Sequence, residues 1–288
     1  MAKAPARKKT ETTQIEVQEI KMGEVRANLL GTSPLIMHRF PFKAWQELIL
    51  PSPQQNRASL EQRLKHDPLK EYRSSFYLCR KPEKTLFHVP NGALHGSLAQ
   101  AAIDIPGAKR AQIERLTKIV DVTIELYGVP QIFSAMVRNS DMNRTPDVRT
   151  RPIFPQWACR ISIQYMKNVL SERTISNLLG AAGVIVGIGD WRGERGGPYG
   201  SFKIVADNDA DFRSVTKLQG RAAQQKAFER PTFYDQDTSD ILLWFNEEVR
   251  RREMDGLLAD VELSLPATSR TIVERGGNGG DAEYVGTE

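Results

Sequence analysis

The 288-residue chain carries 40 Lys and Arg against 35 Asp and Glu, a net charge of +5, with a mean hydropathy of -0.43. That modest basic excess favours anionic partners, and two cysteines, Cys79 and Cys159, exclude a disulfide framework and fit a reducing compartment. The opening MAKAPARKKTETTQ has charge but no apolar run, and no stretch reaches the ~18 apolar residues of a membrane span, so a soluble cytoplasmic protein without a membrane partner is expected.

In chain order, residues 1–15 form a basic, polar arm that is expected to be disordered and to act as a solubilising tail, with phosphate holding as the alternative. Val25 to Leu30 continues into Pro34 to Met37 as a strand with a break. Residues 41 to 75 are polar and helix-prone, with SLEQRLKHDPLKEY the clearest helical piece, and Tyr77 to Val89 reads as a hairpin about Pro82-Glu83-Lys84. Asn91 is placed to cap a helix through ALHGSLAQAAID, and a second helical piece spans Ala111 to Ile119. Val122 to Leu126 alternates as a strand, and Trp157 to Tyr165 alternates better, with positions 157, 159, 161, 163 and 165 on one face. Ser171 caps a further helix with Thr174 at its third position; Ile175, Leu178, Leu179 and Ala182 keep the helical period. Ser201 to Ala206 is a short strand. Residues 208–264 form a helical appendix, in which Ile241, Leu242, Trp244, Phe245 and Val249 make one amphipathic helix, and 265–288 is a glycine-rich, disordered tail.

With its insertions removed, the order is strand, helix, strand, strand, helix, strand. This predicts an α+β fold with a ferredoxin-like (RRM-like) βαββαβ core over residues 16–207, interrupted by insertions at about 41–86 and 136–155.

Two stretches stand out for their chemistry. GVIVGIGDWRGERGGPYGSFKI runs from Gly183 to Ile204. It is neither a P-loop, since no GK[ST] follows, nor a dinucleotide fingerprint, since it enters a strand rather than a helix. A loop bearing Gly187, Gly189, Gly193, Gly196, Gly197 and Gly200 can lie flat on neighbouring backbone and aim N–H groups at an anion. Arg192 and Arg195 bring charge to a phosphate or base, and Trp191 and Tyr199 can stack on bases. The alternative is a packing role, with the loop under the helix and Trp191 in the core; the two readings can coexist. The second stretch, Phe87 to Leu98, carries a strand into a helix N-terminus, a natural anion seat that includes Asn91 and His95; tight helix-on-sheet packing is its alternative.

SPLIMHR, HVPNGALHGSLAQAA and GIGDWRGERGGPYGSFKI occur in that order along one unit. Together they resemble the marks of the RAMP superfamily, the repeat-associated proteins of CRISPR effector complexes: a proline-leucine first strand, an IPGSSLKGALR-like helix start and a glycine-rich loop before the last strand. His95 stands where a lysine is common. The chain is also similar to phage-encoded proteins with an IGDWR-type loop. The resemblance covers about Val25 to Val205. It implies a non-catalytic subunit that binds single-stranded RNA or DNA and forms a homo-oligomer or filament along it, with other effector-complex subunits as further partners, in a bacterial cytoplasm or phage-infected cell. A thumb-like hairpin over the strand is implied at MVRNSDMNRTPDVRTRPIF, where Arg138, Arg144, Arg149 and Arg151 suit phosphate pairing and base stacking, unless they pair with Asp141 and Asp147 in a solvated loop. Two other readings stay open: a RAMP-type endoribonuclease using Asp141 or Asp147 with His38 as acid or base, and a phage recombination, annealing or assembly protein on the same fold. No nucleophile–base–orienter set is evident, the spacing of Cys79, His88 and His95 matches no zinc pattern, and neither cofactor nor metal is expected.

Overall fold

The computed structural model describes residues 19–40, 66–79, 83–138 and 145–252. The basic arm, the C-terminal tail, the end of the appendix, the SLEQRLK half of the helical piece, Asp141 and Arg144 lie outside the described residues. The chain runs through β1 (Met22–Gly31), β2 (Leu35–Ile36), α1 (Pro68–Ser74), β3 (His88–Pro90), α2 (Asn91–Ala101), α3 (Arg110–Leu116), β4 (Thr117–Ile119), β5 (Thr123–Tyr127), β6 (Gln131–Arg138), β7 (Pro146–Phe154), β8 (Ala158–Met166), α4 (Glu172–Ala181), β9 (Phe202–Val205), α5 (Ala210–Leu218), α6 (Arg221–Glu229) and α7 (Gln236–Arg251).

Period-two patterning builds the main sheet. Val25, Ala27 and Leu29 of β1 and Cys159, Ile161, Ile163 and Tyr165 of β8 are buried in alternation, and the strands pair antiparallel with Val25 opposite Ile163 and Leu29 opposite Cys159. The spatial order is β3-β5-β8-β1-β9, antiparallel at every step. Of the core strands β1, β5, β8 and β9, the fourth lies beside the first and the third beside the second, joined through α2 and α4 in the split βαβ manner of a ferredoxin-like α+β fold. The Ser171 hydroxyl accepts from Thr174 N at 3.1 Å and starts α4, whose Ile175, Leu178 and Leu179 are buried against the sheet. Trp157 is fully buried; its Nε1 donates to Ser33 O at 2.9 Å, and a Cβ on Gly31 would stand 2.3 Å from that nitrogen.

Local structure departs from expectation at two helix ends. Asn91 does not cap α2; it is the first helical residue, and the extended Pro90 takes the cap position without a side-chain cap bond. The second helical piece stops at Leu116, and Thr117 and Ile119 turn inward as β4 on β8, because their alternation with exposed Lys118 suits a strand better than another turn of helix. Of the expected hairpin, Pro82 lies outside the described residues, while the flanking segments pair through Cys79 N to Leu86 O and His88 N to Tyr77 O.

The insertion between β5 and β8 forms the β6–β7 hairpin, which β2 joins to make a second sheet. Ile36, Phe133 and Ile153 form its small core. On the main sheet's other face, Phe212 and Val215 of α5 cover Leu30, Tyr127 and Ala158, and the Arg160 guanidinium lies 5.1 Å over the Phe212 ring. The α6 helix is joined to the sheet by Gln224, which is fully buried: its Oε1 accepts from Leu86 N at 2.7 Å, while its Nε2 donates to Leu126 O at 2.7 Å and Gly128 O at 2.9 Å. No helix among the described residues is long and apolar enough to cross a membrane.

Candidate nucleic-acid interface

The glycine loop is a piece of backbone-to-backbone packing. After α4 the helix widens into a π-turn over Ala182–Val186 and ends at Gly187, with φ +73°. Ile188 N then donates to Gly200 O at 2.9 Å, Gly200 N to Pro34 O at 2.8 Å and Asp190 N to Ile36 O at 2.9 Å. The loop is thereby zipped onto the Pro-Leu-Ile segment that precedes it by some 150 residues. Side chains would prevent this. A Cβ on Gly200 would stand 1.8 Å from Ile188 O, and one on Gly197 1.8 Å from Trp191 O. Trp191 itself holds φ +52°, a left-handed conformation that a bulky residue rarely adopts, and leaves its indole 43% exposed beside the Tyr199 ring.

Across from the loop stands the N-terminus of α2. Between them lies a cavity of about 430 Å³. Its walls draw on all three segments that carry the resemblance: Leu35 to His38, Val89 to Ser97, and Ile188 to Arg195. Gly92 and Gly96 present a bare helix surface: outside the helix's own backbone and their chain neighbours, no atom of the described residues lies within 4 Å of where a Cβ would be. Without a side-chain cap, the first N–H groups of α2 keep their partial positive charge.

The cationic groups at this place differ in availability. Arg192 donates to Glu194 at 2.9 Å and Arg110 to Glu114 at 3.0 Å. Arg151, on the hairpin stem, forms an ion pair with Asp190 of the loop. Burial, then the Arg149 charge, pulls the Arg151 guanidinium down to about 10, so it remains charged at neutral pH. Arg195 is exposed and has no partner among the described residues, and Arg138 is likewise exposed at the end of β6. Arg149 lies 4.0 Å from Asp147.

Other sequence-predicted positions are tied up elsewhere. His95 Nε2 donates to Thr117 O at 3.1 Å, which joins α2 to β4. His38, at the meeting point of the main cavity and a smaller one of about 280 Å³, is pulled down to about 4 by burial and by the Arg151 and Arg149 charges, so its imidazole is neutral at pH 7. Asp147 receives His66 Nε2 at 2.9 Å, and the other ring nitrogen of His66 lies 2.6 Å from Glu71. Asn91 and Tyr199 are half-buried, Asn91 at the α2 start and Tyr199 with its ring 6.2 Å from Phe133 of the hairpin. The outer face of the main sheet offers no stacking platform: Tyr127, its aromatic residue among β1, β5, β8 and β9, lies buried beneath α5.

Sequence reasoning missed the Arg151–Asp190 pair, the His66 clasp and the place of Ser97 in the cavity wall. The GDWR context made Asp190 visible as a charge, but nothing local indicates a partner 39 positions earlier on another element. His66 meets Asp147 across 81 residues, beyond any spacing rule.

No protein-family model matches the chain, and neither does any curated protein. Among solved structures the chain is similar to the crystal structure of Cmr6 from Pyrococcus furiosus, at 8% identity and a TM-score of 0.34, over 65% of this chain and 100% of that one. Likeness at that level carries no argument, and the fold assignment rests on the strand order described above.

Proposed function

We propose that the protein binds single-stranded nucleic acid, RNA or DNA, where the α2 N-terminus, the glycine loop and the hairpin stem meet. In this reading it is a non-catalytic subunit of the RAMP backbone type, which lines up along the strand with further copies of itself or with other effector-complex subunits. The observation that carries the proposal is the convergence of three sequence-distant segments on one cavity, with a helix N-terminus whose Pro90 cap offers no side-chain bond on one side and, on the other, Arg195, which has no partner among the described residues. Uncapped N–H groups and a guanidinium suit a phosphate. The exposed Trp191 indole beside them suits a base face, and base–aromatic stacking contributes about 1–3 kcal/mol per base.

The test is fluorescence anisotropy with labelled single-stranded RNA and DNA across a salt series. Affinity should fall steeply with salt. Arg195→Ala should weaken binding uniformly across sequences and reduce the log–log salt slope by about one. Absence of salt-dependent binding to either kind of strand at low ionic strength would remove the reading. Sedimentation with strands of graded length then reports whether copies add along them.

A further inference from the structure

The outer face of α7 is unpartnered. The sequence groups Trp244 with Leu242, Phe245 and Val249, yet those three are buried while the Trp244 indole is 60% exposed, more than Trp157 or Trp191. Leu243 beside it is exposed as well. A single exposed apolar residue is ordinary, but here two share one helix face with three carboxylates. In helical projection Asp240 and Glu247 fall between Leu243 and Trp244, each one turn from both, and Asp237 lies two turns before Trp244. All three acids are exposed. Asp240 accepts from Gln236 Nε2 at 2.7 Å, and none of the three meets a cation among the described residues, since Arg251 and Arg252 are turned to Glu248.

Such a face suits a basic segment. Lysine and arginine heads pair with the carboxylates, their methylene stems lie along leucine, and a cation rests on the indole. The chain itself supplies one. MAKAPARKK, residues 1–9, carries Lys3, Arg7, Lys8 and Lys9 and no acid. We propose that α7 holds this arm of its own chain, with the arm's cations on Asp237, Asp240 and Glu247 and one of them over Trp244. Lys9 precedes Glu19, the first described residue, by 10 positions and Lys3 by 16, a reach of roughly 33–55 Å when extended. Tethering on that length gives the arm a local concentration that the arm of a separate molecule must match. The contact keeps four cations from acting as a free tail or a phosphate holder. It is independent of the strand-binding reading, and its test contains no nucleic acid.

The test is a crosslink in the full chain. Lys8→Cys is combined with Leu243→Cys on the face or, as the control, with Ser214→Cys at an exposed position of α5; Cys79 and Cys159 are buried and do not compete. At low ionic strength a short bismaleimide should join positions 8 and 243 within one chain roughly tenfold faster than positions 8 and 214. Salt at about 1 M should remove the difference, because exposed ion pairs are screened. Trp244→Ala should slow the 8–243 reaction by roughly two- to fivefold, the range of an exposed cation–π contact. Asp240→Lys with Glu247→Lys should abolish the preference, and Arg7→Glu with Lys9→Glu added to that pair should restore it. The substituted positions on α7 are exposed, and an unchanged thermal melt verifies that each variant folds. Equal rates for the 243 and 214 pairs overturn the proposal, as does a preference that survives the charge reversal or is not rescued by the second reversal. Products joined between two chains overturn it too and assign the face to the arm of a neighbouring copy.

Discussion

Replacing Gly200 by alanine separates two costs that glycine ordinarily hides. Gly200 has φ +76° and a phantom Cβ 1.8 Å from Ile188 O; Gly196 has φ +73° but nothing within 4 Å; Gly96 is helical and open. Alanine at φ near +75° costs roughly 1–2 kcal/mol from backbone sterics alone, which is the whole expectation for Gly196→Ala. Gly200→Ala adds a collision with a carbonyl that cannot move without parting the Ile188 N to Gly200 O and Gly200 N to Pro34 O bonds. With each bond contributing about 0.5–1.5 kcal/mol net, the total becomes about 2–5 kcal/mol. Gly96→Ala should have the opposite sign, a gain of about 0.5–1 kcal/mol from helix propensity. Urea unfolding read by tryptophan fluorescence gives the three midpoints at a common slope. A Gly200→Ala midpoint indistinguishable from that of Gly196→Ala would refute the argument that the loop is held by backbone contact with Pro34 and Ile188.

Three further outcomes follow from named contacts. Gln224→Leu leaves Leu86 N–H and the Leu126 and Gly128 carbonyls without their buried partner and should lower stability by about 2–4 kcal/mol in thermal or denaturant melts; an unchanged melt would show that α6 is not anchored there. His38 is held at about 4, below its ordinary 6.5, so between those values the unfolded chain binds the extra proton and stability falls as pH drops through the window. His38→Gln should flatten stability between pH 6.5 and 4, and a profile parallel to the wild type would contradict the burial of that imidazole. A double-mutant cycle on His66→Ala and Asp147→Ala should return a coupling of about 0.5–3 kcal/mol, and a coupling of zero would dissolve the clasp between α1 and the hairpin stem.

Much of the fold was legible because its signals are local. The alternation at 157–165 marked the buried face of β8, Ser171 marked the start of α4, and the order of elements implied the ferredoxin-like core. The parts that escaped depend on contacts at long range. A period of 3.6 continues smoothly through Leu116, and only pairing with β8 makes Thr117–Ile119 a strand. Asn91 has a capping side chain, yet Pro90 enters the helix in an extended conformation one residue earlier and takes the position. For the site, the glycines and arginines were visible as types, but composition does not say which carbonyl a glycine must face or which carboxylate an arginine meets.

That last distinction governs how the charge of this protein acts. A guanidinium already bonded to a carboxylate at the cavity displaces few counterions from a strand, so a salt slope counts available cations rather than arginines. Arg151 is joined to Asp190, Arg192 to Glu194 and Arg110 to Glu114, whereas Arg195 stands alone among the described residues lining the cavity. The paired arginines serve geometry instead: the Arg151–Asp190 contact locks the hairpin stem to the loop that Asp190 N simultaneously fastens to Ile36. Asp190→Asn would then be expected to loosen the hairpin and free a cation together, so that affinity falls while salt dependence steepens. A loss of binding at constant slope would assign Arg151 to direct phosphate contact and reverse the division of labour argued for these arginines.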